Sequence, residues 1–342
     1  MAYSSVGRPV FYIDNYLYHK TIGTSFTKEM PFPEKTLQLN PVFGDQELGL
    51  LLYDASLPVN QLEYDFSGNM NYYIAFLNHV RDINQPLSFL DDMTNVTGDF
   101  TEVLNGNGDG SFIYPNNGST ILTTSSLHEN LFFLHEIFGF NYMKVGSVSM
   151  GIQYTMPHSP DLKLNMEIEM DGIDTTTTSG GGTISNVKYT GNPLWINGDN
   201  KTNCFDVYGE DGLDVTQTGA RRNGRKSWNL KFSYMSETDL FSSNPKGGNY
   251  TEHPADSTYN DGDLSSGAQH SENTLAFNIE TDDSFYAQVW NKTLGGALPF
   301  IFQPNSNDND DFYICRFDQN SLRVSQSAYK VYDISVKIVE TW

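Results

Sequence analysis

Apolar and polar residues alternate at period two along much of this chain, most cleanly near its end. Across residues 329–339, Tyr332, Ile334, Val336 and Ile338 point one way and Asp333, Ser335 and Lys337 the other, the period of a half-buried strand. Two shorter apolar runs, 298–302 and 312–317, precede it, with polar loops at 304–311 and 318–327. Helical spacing occurs just before them. Phe285, Val289 and Leu294 lie near one face, Asp282 and Asp283 favour the positive start of a helix, and Gly295-Gly296 stop it. Residues 281–342 therefore predict one helix, over 282–293, feeding an antiparallel sheet.

Further upstream, residues 228–234 predict a strand with Trp228, Leu230, Phe232 and Tyr234 on one face, entered through a basic loop and leaving toward a helix. Residues 162–170 also alternate, with Leu162, Leu164, Met166, Ile168 and Met170 on one face, so this strand is expected to cover a core. Shorter strands are expected at 48–53, 61–66, 72–80, 111–114, 138–145 and 148–156, separated by turn signals such as Asn107-Gly108-Asp109-Gly110. That spacing suggests a sandwich. The Thr-rich run 174–179 and Gly180-Gly181-Gly182 have no apolar period and predict a domain boundary. The chain then divides into residues 1–34, whose β-like run at 9–14 is either a strand of the first domain or an arm; a β-sandwich over 35–182; and a β-domain over 183–342. The second domain opens with strands at 189–196 and 203–208, and its long polar loop, 242–273, predicts a surface excursion or partner contact.

Composition agrees with this pattern. Aromatic residues make up 13% of the 342 positions, with 22 Phe and 20 Tyr, while Lys and Glu, the usual helix-surface residues, are sparse. The class expected is mainly β, an N-terminal jelly-roll-like sandwich plus a C-terminal β-domain with one or two short helices. The formal charge of −22 repels phosphate backbones and anionic lipid, so neither nucleic acid nor membrane is an expected partner. No run approaches the roughly 18 apolar residues of a membrane-crossing helix, and the first residues lack the pattern of an export signal. Cys204 and Cys315 are far apart, each in or beside an apolar run, and predict two buried thiols in a reducing cytoplasm.

Candidate chemistry is thin. His128-Glu129 and His135-Glu136 are spaced by seven, and Phe132 stands where a zinc-binding helix needs its second His. Asn105, Asn107, Asp109 and Gly110 imitate the opening of a calcium loop, but Asn116 stands where the bidentate carboxylate belongs. The Asn/Asp-rich stretch 305–311 reads as a hydrated loop. No nucleophile elbow, phosphate loop or dinucleotide fingerprint is present, so no enzyme activity, cofactor or metal is expected. Tyr72, Tyr73, Phe112, Tyr114 and Trp195 could stack on sugars or fill a core. Arg221, Arg222, Arg225 and Lys226 gather four of the 20 basic residues within six positions. They form either a solvated hairpin tip or a positive spot for the acidic face of an identical subunit, and so are the candidate subunit-interface residues.

The order of a helix, Gly-Gly, Phe300-Ile301-Phe302-Gln303-Pro304, a polar loop, a strand carrying Cys315 and a last alternating strand resembles the C-terminal half of the minor tail protein M family of long-tailed phages. The likeness reaches back to residues 219–241. It implies a structural protein of the virion tail, assembled in the host cytoplasm: a distal tail or tail-tip (baseplate) adaptor, with six copies in a ring between tail tube protein and tip hub protein. A second stretch, with Phe66, Gly68, Tyr72-Tyr73, the run 74–79 and the run 146–151, resembles the jelly roll of discoidin and galactose-binding modules. That likeness implies an alternative, a receptor-binding tail protein whose N-terminal domain grips a host surface glycan.

Overall fold

The computed structural model describes residues 7–22, 39, 49–52, 60–61, 71–80, 87–91, 94–104, 118–126, 131–135, 142–162, 165–169, 173–187, 225–241, 282–309 and 311–341. Eighteen strands occur among them. In chain order they are β1 (Val10–Asp14), β2 (Gly49–Leu52), β3 (Asn60–Gln61), β4 (Asn71–Val80), β5 (Leu87–Asp91), β6 (Thr94–Asn95), β7 (Thr101–Leu104), β8 (Gly118–Thr124), β9 (Leu131–His135) and β10 (Tyr142–Thr155). Then follow β11 (Asn165–Glu169), β12 (Ile173–Thr177), β13 (Thr183–Val187), β14 (Arg225–Ser236), β15 (Phe300–Gln303), β16 (Tyr313–Phe317), β17 (Arg323–Ala328) and β18 (Val331–Glu340). Helix α1 (Asn15–Ile22) follows β1, the single turn α2 (Glu237–Leu240) follows β14, and a π-helical turn spans Tyr286–Asn291. The fold is mainly β, as the alternation predicts.

Twelve strands form one sheet in the order β11-β14-β18-β16-β15-β1-β10-β4-β8-β7, with β17 also on β18 and β2 also on β10. Every pairing among the described residues is antiparallel. The sheet takes strands from both sides of the division expected after residue 182, and the run expected as a strand or arm is its seam. β1 bonds β10 on one side and β15 on the other. All five of its residues are buried.

Each face of β1 feeds a different part of the core. Phe11 meets Phe302, Phe300, Phe285 and Phe317 at ring-centroid distances of 5.3, 5.5, 5.9 and 6.0 Å. Tyr12 meets Tyr73 at 5.2 Å and Phe312 at 5.8 Å, and its hydroxyl donates to Gln303 Oε1 at 3.0 Å. Trp228 of β14 lies 5.4 Å from Phe302 of β15. Those strands are three positions apart, about 14 Å in a flat sheet, so the C-terminal half curls around its inner face. The turn at 286–291 closes that face, with Phe285 on Phe11 and Trp290 on Phe317.

The helix expected over 282–293 is thus a shorter, wider turn. Ser284, rather than the two aspartates, caps it by accepting from Ala287 N at 3.3 Å, while Asp282 accepts from Ser284 N at 3.0 Å. Its Gly-Gly stop is required: Gly296 has φ +96, and a Cβ there would stand 2.9 Å from Phe317 Cβ.

Four local expectations change. Residues 323–327, expected within the loop 318–327, belong to β17, because backbone pairing to β18 holds a strand with no apolar alternation. The expected boundary at 174–182 belongs to the β12–β13 hairpin, with five paired positions and a turn at 178–182. In β14, Trp228, Leu230 and Phe232 are buried as expected, but a bulge between Phe232 and Met235 turns Tyr234 outward and Met235 inward. The strand expected to cover a core at 162–170 is β11, an edge strand exposed at all five positions.

Candidate functional site

The edge at β11 is where the curled core face runs out of cover. Met166 pairs with Trp228 and Ile168 with Lys226. Directly opposed residues share a face, so β11 extends the face that buries Trp228, Leu230 and Phe232. Yet Met166 is 55% exposed and Ile168 53%, and Leu162 beside them is more exposed still. Among the described residues β11 pairs only with β14, and no described strand occupies its far side.

The β12–β13 hairpin follows and is exposed throughout residues 174–185, Ile184 included. Its tip is well built. Thr178 N donates to Gly182 O at 2.7 Å, Gly182 N donates to Thr178 Oγ1 at 3.0 Å, and Gly181 takes φ +82. A two-stranded ribbon alone in water is marginal, so a ribbon this exposed gains from a neighbour.

A polar cluster stands on the same face at the C-terminal end of β18, next to Lys226, the register partner of Ile168. Glu340, opposite Cys315, is 3% exposed; its Oε2 accepts from Lys226 N at 3.0 Å, and its Oε1 has no hydrogen-bond partner among the described residues. Burial pushes this carboxyl up to about 7, against the downward pull of the Lys226 bond and of the Lys226 and Arg225 charges. Lys226 Nζ donates to the Tyr313 hydroxyl and lies 4.4 Å above its ring, and that hydroxyl donates to Asp311 Oδ1. Burial and the Asp311 hydrogen bond hold the Tyr313 hydroxyl well above its ordinary range. Burial does the same for the Cys315 thiol, a free, buried cysteine as expected.

Of the four basic candidates, Arg225 and Lys226 therefore open β14, half-buried, with Lys226 committed inside the chain. Arg221 and Arg222 lie outside the described residues, as do Cys204, His128, Glu129, Glu136, the loop 105–110, Asn116, Phe112, Tyr114, Trp195, the strands expected at 189–196 and 203–208, and the loop 242–273. His135 ends β9. Tyr72 and Tyr73 are core residues, which removes them as sugar-stacking candidates. The oxygen-rich loop has an internal use: Asn305 Oδ1 accepts from Gly7 N at 2.8 Å and from Asn307 N at 3.0 Å, pinning the segment that leads into β1.

Sequence reasoning missed the polar group at the seam. Asp14 ends β1 and caps α1: it accepts from Leu17 N at 2.8 Å, Leu39 N at 3.2 Å and Ser149 Oγ at 3.0 Å, and Ser149 Oγ lies 2.7 Å from the Tyr73 hydroxyl. Burial raises the Asp14 carboxyl to about 7 although these bonds favour its charged form. Opposite it stands Gly151, where a Cβ would fall 1.9 Å from Ile13 O. An Asp directly before a helical stretch is the one sequence signal that could have marked this cap. Comparison with protein-family models, with curated proteins and with solved structures finds no match to this chain.

Proposed function

We propose that this chain is a structural component of a phage tail, a distal tail or tail-tip adaptor that works by assembling with copies of itself between tail tube and hub, rather than an enzyme. The observation that carries the reading is the uncovered continuation of a core face, Met166 and Ile168 on the edge strand β11, beside a hairpin exposed over residues 174–185. A subunit that ends its apolar face at an edge strand is suited to a head-to-tail contact, which closes into a ring when the rotation between copies permits. The order of elements in residues 281–342, from the π-helical turn and its Gly-Gly stop to β18, supports the same reading through its likeness to the minor tail protein M family. The −22 charge suits contact with protein rather than with packaged nucleic acid. The division into an N-terminal jelly-roll-like unit and a C-terminal adaptor unit belongs to this proposal, with β1 as the strand that joins them.

Gold-labelled antibodies against the chain, applied to particles from the infected host, test the reading. Label at the junction of tail and tip is the expected result; particles that carry none of this chain would refute it.

A further inference from the structure

Two tyrosines stand in solvent on the outer side of the C-terminal sheet. Tyr234 is 78% exposed and Tyr329 84%, while Tyr12, Tyr16, Tyr18, Tyr72, Tyr73 and Tyr313 are all buried. Both exposed rings rise from fixed backbone. Tyr234 occupies the β14 bulge with φ 64, and its N–H donates to Asp333 Oδ1 at 3.1 Å. Tyr329 sits in the β17–β18 turn beside Lys330, which has φ 58. That turn is held by Glu237 N donating to Lys330 O at 3.1 Å and by the Lys330–Glu237 ion pair at 3.0 Å. Lys330 Nζ lies 5.9 Å from the Tyr329 ring centre.

The surface between the rings is polar. Asp333 has Ser325 as its register partner, and Ser327 Oγ donates to Asp333 Oδ1 at 3.3 Å. At the rise of a strand, Tyr329 and the Tyr234–Asp333 pair lie on the order of 10 Å apart. Among the described residues the nearest other exposed large apolar side chain is Leu162, which follows Asp161 on the side of β14 away from β18, so the strip between the two rings itself lacks the dry apolar centre of a protein interface. Flat rings separated by hydroxyls and a carboxylate instead match a pyranose chain, whose C–H faces stack on aromatic rings while its hydroxyls donate to carboxylates. Asp333, Glu237 and the −22 chain repel acidic polymers.

We propose that this face binds a neutral oligosaccharide, with one sugar on Tyr234, another on Tyr329, and Asp333, Ser325 and Ser327 taking hydroxyls between them. The backbone on which both rings stand is set before the ligand arrives, which lowers the cost of ordering them. The site lies in the C-terminal half, away from the jelly-roll-like region, and does not depend on ring assembly.

The test uses the full chain and a panel of neutral hexasaccharides (cello-, malto-, manno-, galacto- and N-acetylchito-), read by saturation-transfer NMR and calorimetry. At least one should bind, with signal on its ring C–H protons. Tyr234→Gly, which suits the positive φ, should weaken that binding about tenfold, and Tyr234→Gly with Tyr329→Ser should abolish it, with unfolding midpoints no lower than the parent's. Binding by none of the five sugars, or equal binding by the double variant, overturns the proposal. A change in solution mass of the double variant without sugar binding overturns it too, and assigns the rings to a protein contact.

Discussion

The seam and the edge of the large sheet use the same kind of strand for opposite ends. At β1, five residues are buried, all five pair with β10 and the first three pair with β15 as well, and Asp14 is satisfied by backbone and hydroxyl donors. At β11, five residues are exposed, one side is unbonded among the described residues, and the two apolar side chains Met166 and Ile168 are more than half exposed. The seam holds the chain together and tolerates nothing. The edge contributes little to the monomer and is free to serve a partner.

Changes at the seam should do the most damage. Phe11→Ala removes a ring at the centre of four phenylalanines and should cost about 3–5 kcal/mol in urea unfolding. Gly151→Ala, whose Cβ would collide with Ile13 O, should cost about as much.

Acidity comes next. Asp14 and Glu340 both have folded-state carboxyls raised to about 7 from ordinary values of 3.8 and 4.5. Raised values mean that the native state holds these protons more tightly than the unfolded chain. Their contribution is complete below the unfolded values and is lost as pH rises toward 7. Stability should therefore fall by about 2–4 kcal/mol per carboxyl between pH 4 and 7 and level off above. Denaturation midpoints at a series of pH values check this. Glu340→Gln should remove Glu340's share of the slope, and an unchanged slope in that variant would assign the effect to overall charge.

Substitution at the edge should scarcely touch the fold. Met166→Lys with Ile168→Lys should change monomer stability by no more than about 1 kcal/mol, because both side chains already stand half in water. The smallest effect, and of opposite sign, belongs to Tyr234→Gly: relief of a φ of 64 should raise the unfolding free energy by up to about 1 kcal/mol.

The same contrast decides what the sequence could reveal. Alternation showed which residues of β18 and of the first part of β14 share a face, since that depends only on the pleat. It did not reveal whether a face is covered, so β11 read like a core strand although it is the outermost one. Bulges were also hidden: Tyr234 continues the apolar register of Trp228, Leu230 and Phe232 in the letters, and only the inserted residue in the ladder turns it outward. Polar strands held by pairing, β17 and the Thr-rich β12–β13 hairpin, carry no period at all. The seam combines residues as distant as Asp14, Tyr73 and Ser149, a juxtaposition that exists only once the strands have paired.

The most direct test is the solution mass of the purified chain, measured by light scattering beside the Met166→Lys, Ile168→Lys variant. The account predicts a closed multiple of the 38.5 kDa chain for the parent and a folded single chain for the variant. A parent that stays a single chain at every concentration, or a variant that assembles as the parent does, would contradict it.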